Sequence, residues 1–102
     1  MIPQIEEHRT ELEEFCRKYY VGRLEVFGSA VDGSFDPGRS DLDFLVEFHQ
    51  VADVNPADQY FGLFEDLQAL FDRKIDLVCA KAMRNPYFIR AVNASRKLLY
   101  AA

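Results

Sequence analysis

The segment from Asp41 to Phe48 has a period of two. Leu42, Phe44, Val46 and Phe48 fall on one side of an extended chain, and Asp41, Asp43, Leu45 and Glu47 on the other. That period belongs to a strand half buried against a core. It also sets two carboxylates side by side on the face turned away from that core. A chain built around this segment buries one face of a sheet and keeps charge on the other.

The remaining elements follow from the same kind of reading. Pro3 with Glu6 and Glu7 marks a helix start, and Ile5, Leu12, Phe15, Cys16 and Tyr19 recur on one face, so a single helix is predicted from Pro3 to about Tyr20, ended by Gly22. Leu24 to Phe27 is a short strand that stops at Gly28-Ser29. Residues 29 to 40, rich in Gly, Pro, Asp and Ser, form a loop with room for one helical turn after Ser29. Asn55-Pro56 opens a helix whose apolar stripe, from Tyr60 through Leu63, Phe64, Leu67 and Leu70 to Phe71, runs down to Asp72. Lys74 to Cys79 is a third strand, with Ile75 and Leu77 toward the core and Asp76 away from it. Asn85-Pro86 begins a helix to about Ala94, and Lys97 to Tyr100 closes the chain as a strand. Helices and strands alternate, so the expected class is α/β in the broad α+β sense. The picture is one domain, residues 1–102, with a small mixed sheet covered by helices on one face. Strands of a doubly wound sheet would be apolar on both faces, and these are not.

Bulk composition narrows the function. At 102 residues there is room for one core. Lys and Arg number 12 against 17 Asp and Glu, and the basic residues are scattered, so direct nucleic-acid binding is not expected. No apolar run reaches the ~20 residues of a membrane span, and the acidic stretch from Met1 to Glu14 lacks a signal-peptide core. We expect a cytoplasmic protein without membrane contact. Cys16 and Cys79 share no metal-ligand spacing and read as small buried hydrophobes. His8 and His49 have no triad partner, which argues against nucleophilic catalysis.

The chemistry concentrates elsewhere. If the strands carrying Asp41, Asp43 and Asp76 are neighbours, three carboxylates converge. Like charges at close range are relieved by protonation, solvation or cations. Hard oxygen ligands suit Mg²⁺, and three carboxylates can hold two such ions about 4 Å apart, the arrangement that clamps the attacking and leaving oxygens of phosphoryl transfer. Gly28-Ser29, at a strand end, offers close backbone approach and a hydroxyl to a phosphate. A phosphate cradle and a metal cage together are what a nucleoside triphosphate needs.

Two stretches carry a resemblance. Val26-Phe27-Gly28-Ser29-Ala30-Val31-Asp32-Gly33 and Ser40-Asp41-Leu42-Asp43-Phe44-Leu45-Val46 resemble the signature of the polymerase-beta nucleotidyltransferase superfamily, and the chain is most similar to its minimal nucleotidyltransferases (MNT), the MntA-like antitoxin partners of HEPN proteins. The likeness extends to Ile75-Asp76-Leu77-Val78 and the closing Leu98-Leu99-Tyr100. It implies Gly28 and Ser29 on the phosphates of an NTP, ATP by preference, with Asp41 and Asp43 as metal ligands. Asp76 would be the third ligand, helping to deprotonate an acceptor hydroxyl. It implies transfer of AMP to a side chain of a HEPN toxin, as the antitoxin of a pair. The alternative is a catalytically weak module that neutralises the partner by binding. Two departures bear on that alternative. Relatives commonly carry Arg where Asp32 stands, and the loop from Gly33 to Asp41 is a residue longer than usual. Asp32 would then repel a triphosphate, unless it points to solvent or pairs with Arg39.

Overall fold

A computed structural model describes residues 1–102. The chain runs α1 (Pro3–Glu7), α2 (Arg9–Lys18), β1 (Val21–Phe27), α3 (Ser29–Asp32), β2 (Leu42–Phe48), α4 (Pro56–Phe71), β3 (Ile75–Cys79), a 3-10 turn (Ala80–Ala82), α5 (Pro86–Ser95) and β4 (Lys97–Ala101). The strands form one sheet in the order β3-β2-β1-β4. β1 is antiparallel to β2 and β4, while β2 and β3 are parallel and joined across α4. The expected mixed sheet and α+β class are therefore present. No helix is long and apolar enough to cross a membrane.

The period-two pattern of β2 sets the core. Leu42, Phe44 and Val46 are buried with Leu24 and Val26 of β1, Ile75 and Leu77 of β3, and Leu99 of β4. Ile5 of α1, Leu12 and Cys16 of α2, and Leu63 and Leu67 of α4 cover them. Burying a leucine of this kind stabilises by about 1.5–3 kcal/mol, which fixes α4 across the β2–β3 pair. Asn55 caps α4 by accepting the Ala57 N–H at 2.8 Å, and Pro56 occupies its first turn.

Three features differ from the sequence reading. The first helix is two: His8 adopts φ −107°, ψ 19° and bends the chain, its ring held by Glu11 at 2.6 Å and edge-on to Phe71 at 5.4 Å. Gly22 does not end the helix. Tyr20 does so, in a left-handed conformation of φ 57°, and its carbonyl accepts the His49 N–H at 2.8 Å, so the chain reverses straight into β1. β1 consequently starts at Val21 and is bulged between Val21 and Arg23, which lets Val21 and Leu24, three apart, both face the core. Finally, the sheet is covered unequally rather than on one face alone. α1, α2 and α4 lie on the core side, while α5 packs on the other, where Val92 meets Phe27 and Leu45. Those two apolar residues occupy the outward phase of their strands and need cover.

That outward face also carries a buried carboxylate. Glu25, 2% exposed, accepts Nε and Nη2 of Arg96 at 2.6 and 2.7 Å and Nε of Arg23 at 2.6 Å. The Arg96 guanidinium, and then Arg23, hold its carboxyl down at about 2 against the cost of burying it. Arg96 directly follows α5, so this pair ties the end of that helix to the middle of β1.

Candidate active site

Strand register decides which aspartates meet. In the parallel β2–β3 pair, Leu42 stands opposite Ile75, Asp43 opposite Asp76, and Phe44 opposite Leu77. Asp43 and Asp76 are therefore direct cross-strand neighbours on the face away from the core. On its other side Asp43 pairs with Phe27, the last residue of β1. Phe27 leads into Gly28, which has φ +74°, ψ −144°. A Cβ built on Gly28 would lie 2.6 Å from Asp43 Oδ2, so the glycine backbone packs against this carboxylate. Asp41 precedes β2 by one residue, and its Oδ2 is 3.7 Å from Lys74 Nζ. The Leu42 N–H donates to the Lys74 carbonyl at 3.2 Å and anchors that end of the pair.

Electrostatics follow from this placement. Asp43 is pushed up to about 6, first by desolvation between Phe27, Gly28 and the sheet, then by the charges of Asp76 and Asp41. Its neighbours thus disfavour its ionised form, and a cation would favour it. The donor set, three carboxylates at one sheet end, fits a hard divalent ion. The three do not converge fully: no group of three His, Cys, Asp or Glu side chains is drawn together tightly enough to hold a metal as it stands. Asp43 and Asp76 are adjacent, while Asp41 pairs with Lys74.

The Gly28-Ser29 turn is equally local. Ser29 opens α3, and the Gly28 carbonyl accepts the N–H groups of Val31 at 3.0 Å and Asp32 at 3.1 Å. The Gly28 N–H donates to Ser95 Oγ at 2.7 Å, so the last residue of α5 pins the turn. Asp32 does not pair with Arg39. Its Oδ1 accepts the Ser34 N–H at 2.9 Å and hydroxyl at 2.6 Å, and these bonds lower its pKa. The longer loop is internally tied: Asp36 accepts the Gly38 N–H, donates its own N–H to Ser40 Oγ, and accepts the Ser40 N–H on its carbonyl. Lys74 and Ser95 were not foreseen in this site. Lys74 was legible, two residues before Asp76 on a period-two strand. Ser95 was not, because its contact exists only once α5 docks.

Replacing Gly28 with Ala should disturb both halves of the site. The backbone lies near a region open essentially to glycine, a strain on the order of 1–3 kcal/mol, and the new methyl displaces the Asp43 carboxylate. We expect a urea midpoint lowered accordingly and weaker Mn²⁺ binding by calorimetry. Unchanged Mn²⁺ affinity would show that Gly28 does not position Asp43.

Three comparisons place the chain among known proteins. A Methanocaldococcus jannaschii protein that bears the name protein adenylyltransferase is 33% identical over 88 residues, covering 86% of this chain and 83% of that one. A solved minimal nucleotidyltransferase superposes with a TM-score of 0.72 at 24% identity, covering 91% of this chain and 90% of its own. A chain from the structure of a tri-AMPylated Shewanella oneidensis HEPN toxin in complex with MNT antitoxin superposes with a TM-score of 0.62 at 19% identity, covering 95% of this chain and 72% of its own. The model of the nucleotidyltransferase domain matches residues 8–99, from the bend before α2 into β4 and across Gly28, Ser29, Asp41, Asp43 and Asp76, and the chain belongs to that family.

Proposed function

We propose that this chain transfers AMP from ATP to a side-chain hydroxyl of a HEPN-domain partner, releases pyrophosphate, and so acts in the cytoplasm as the antitoxin of a pair. The observation that carries the reading is the cross-strand pairing of Asp43 with Asp76, closed on the β1 side by Gly28. The adenylyltransferase name of the M. jannaschii relative supports AMP as the group transferred, and the AMPylated HEPN toxin bound to MNT antitoxin supports the acceptor.

In this reading Gly28 and Ser29 receive the triphosphate at the end of β1. Asp41, Asp43 and Asp76 would hold Mg²⁺, two ions if all three close together. Such ions would neutralise phosphate charge and lower the pKa of the acceptor hydroxyl. Asp76, the exposed member beside Asp43, faces the incoming hydroxyl and accepts its proton. Phe27 and Leu45 keep the inner edge of the site apolar.

Incubation with α-labelled ATP, Mg²⁺ and a HEPN-domain protein of the same organism that binds this chain tests the proposal. Label should move to the partner, with a mass gain of one or more AMP. A second reading, inhibition by binding alone, draws on the carboxylate of Asp32 at the end of α3, next to the proposed phosphate turn. It requires a stable complex, silenced toxin and no label on the partner. Label transfer excludes that reading, and its absence with complex formation excludes the first.

A further inference from the structure

The side of the carboxylates away from Gly28 is cationic. In the sheet order, β1 with Gly28 at its end flanks β2 on one side, and β3 flanks it on the other. Where α4 gives way to β3, Asp72, Arg73 and Lys74 meet Arg39, Ser40 and Asp41 across a cavity of about 230 Å³ with no hydrophobic side chain in its lining. The Arg73 guanidinium is held from two directions, 4.8 Å over the Phe35 ring and with one N–H on the Ser40 carbonyl at 3.1 Å. A guanidinium has five N–H donors, so most of them stay free for a ligand. Lys74 faces Asp41 at 3.7 Å, and Arg39 makes only a 4.0 Å contact with Asp36. The lining sets three cations, Arg39, Arg73 and Lys74, against two carboxylates, Asp41 and Asp72, a net positive spot in a chain of net charge −5.

The proposed function assigns the donor phosphates to the β1 side. An acceptor then enters from the β3 side, past Asp76 and this cavity. Resting on that reading, we propose that Arg39, Arg73 and Lys74 form an anion subsite for the acceptor, taking a carboxylate or phosphate ester that adjoins its hydroxyl. A divalent cation on Asp41 would release Lys74 to the same ligand. The preformed Arg73 gives the subsite direction, and the two flexible cations let it accept either anion geometry.

Four fluorescein-labelled tyrosine peptides, flanked by Glu, phosphoserine, Ala or Lys, test this. Their binding is followed by anisotropy with Mg²⁺ and a non-hydrolysable ATP analogue, and their use as acceptors by kcat/KM. The anionic peptides should bind about tenfold tighter than the Ala peptide, and the advantage should fade by ~0.5 M salt. In Arg39→Gln/Lys74→Gln the anionic-to-neutral ratio should fall from about ten to about two, the advantage that Arg73 alone retains. Both side chains are largely exposed, at 89% and 78%, so the fold tolerates the change. Preference for only one of the Glu and phosphoserine peptides identifies which anion the subsite takes. Equal binding of anionic and neutral peptides, no binding of the anionic ones, or an unchanged ratio in the variant overturns the subsite. Binding without label transfer to any peptide counts against the proposed activity instead, because the binding ratio is read independently.

Discussion

Asp43→Asn is expected to abolish transfer while making the metal-free protein more stable. Loss of activity should be about a hundredfold or more, the scale for removing a group that organises charge in the transition state. The stability gain comes from its pKa, raised from 3.8 to about 6 by burial and by Asp76 and Asp41. A carboxyl whose pKa is higher in the folded state binds its proton more tightly there. Its ionisation therefore costs folding free energy as pH rises from about 4 through 6, and the full cost is present at pH 7. Two units correspond to about 3 kcal/mol, an upper value that relaxation reduces. Urea denaturation of the metal-free protein should show wild type and Asp43→Asn alike near pH 4 and the variant ahead by about 1–3 kcal/mol at pH 7. A less stable variant at pH 7 would mean that Asp43 serves the fold as a hydrogen-bond acceptor and not the site as a charge.

Glu25→Gln should act in the opposite direction. Glu25 is buried and accepts three charge-assisted bonds from Arg96 and Arg23, which lower its pKa from 4.5 to about 2. The stability it contributes is fully present above about 4.5 and disappears as pH falls toward 2. At neutral pH the 2.5-unit depression corresponds to about 3 kcal/mol, and the amide leaves two guanidinium groups without their counter-charge. For a domain of this size the melting temperature should fall by roughly 12 to 24 °C. A fall of only a degree or two would mean that Arg96 finds an equal partner elsewhere, Glu47 being the nearest charged alternative.

Much of this site is legible in the sequence, and the reasons are local. Period two in Asp41–Phe48 fixed which residues share a face, and the structure keeps Leu42, Phe44 and Val46 inside and Asp43 outside. Register between β2 and β3 is a tertiary property, and nothing in the sequence alone says that Asp43 meets Asp76 rather than Asp41. The helix break at His8 is not visible in the sequence, where the Phe71 ring that packs edge-on against it stands 63 positions away. The helix stops close to the expected Tyr20, but its terminator is Tyr20 and not Gly22, because Tyr20 takes the left-handed conformation that a glycine usually supplies. Asp32 gave no clue to its partner: Ser34 is two residues on, a short-range turn that competes with any longer-range pairing to Arg39.

The outer face of the sheet thus carries two carboxylates of opposite character on neighbouring strands, Glu25 held near 2 and Asp43 near 6. Their titration order separates function from shape. In mild acid Asp43 takes a proton while Glu25 keeps its charge and its arginines, so the domain is discharged at its site before it is loosened in its frame. On the proposed function, a divalent ion at Asp43 would have to displace that proton, so its binding should weaken as pH falls below about 6. On that reading, acid would compete reversibly with the metal before it loosens the pairings of Glu25.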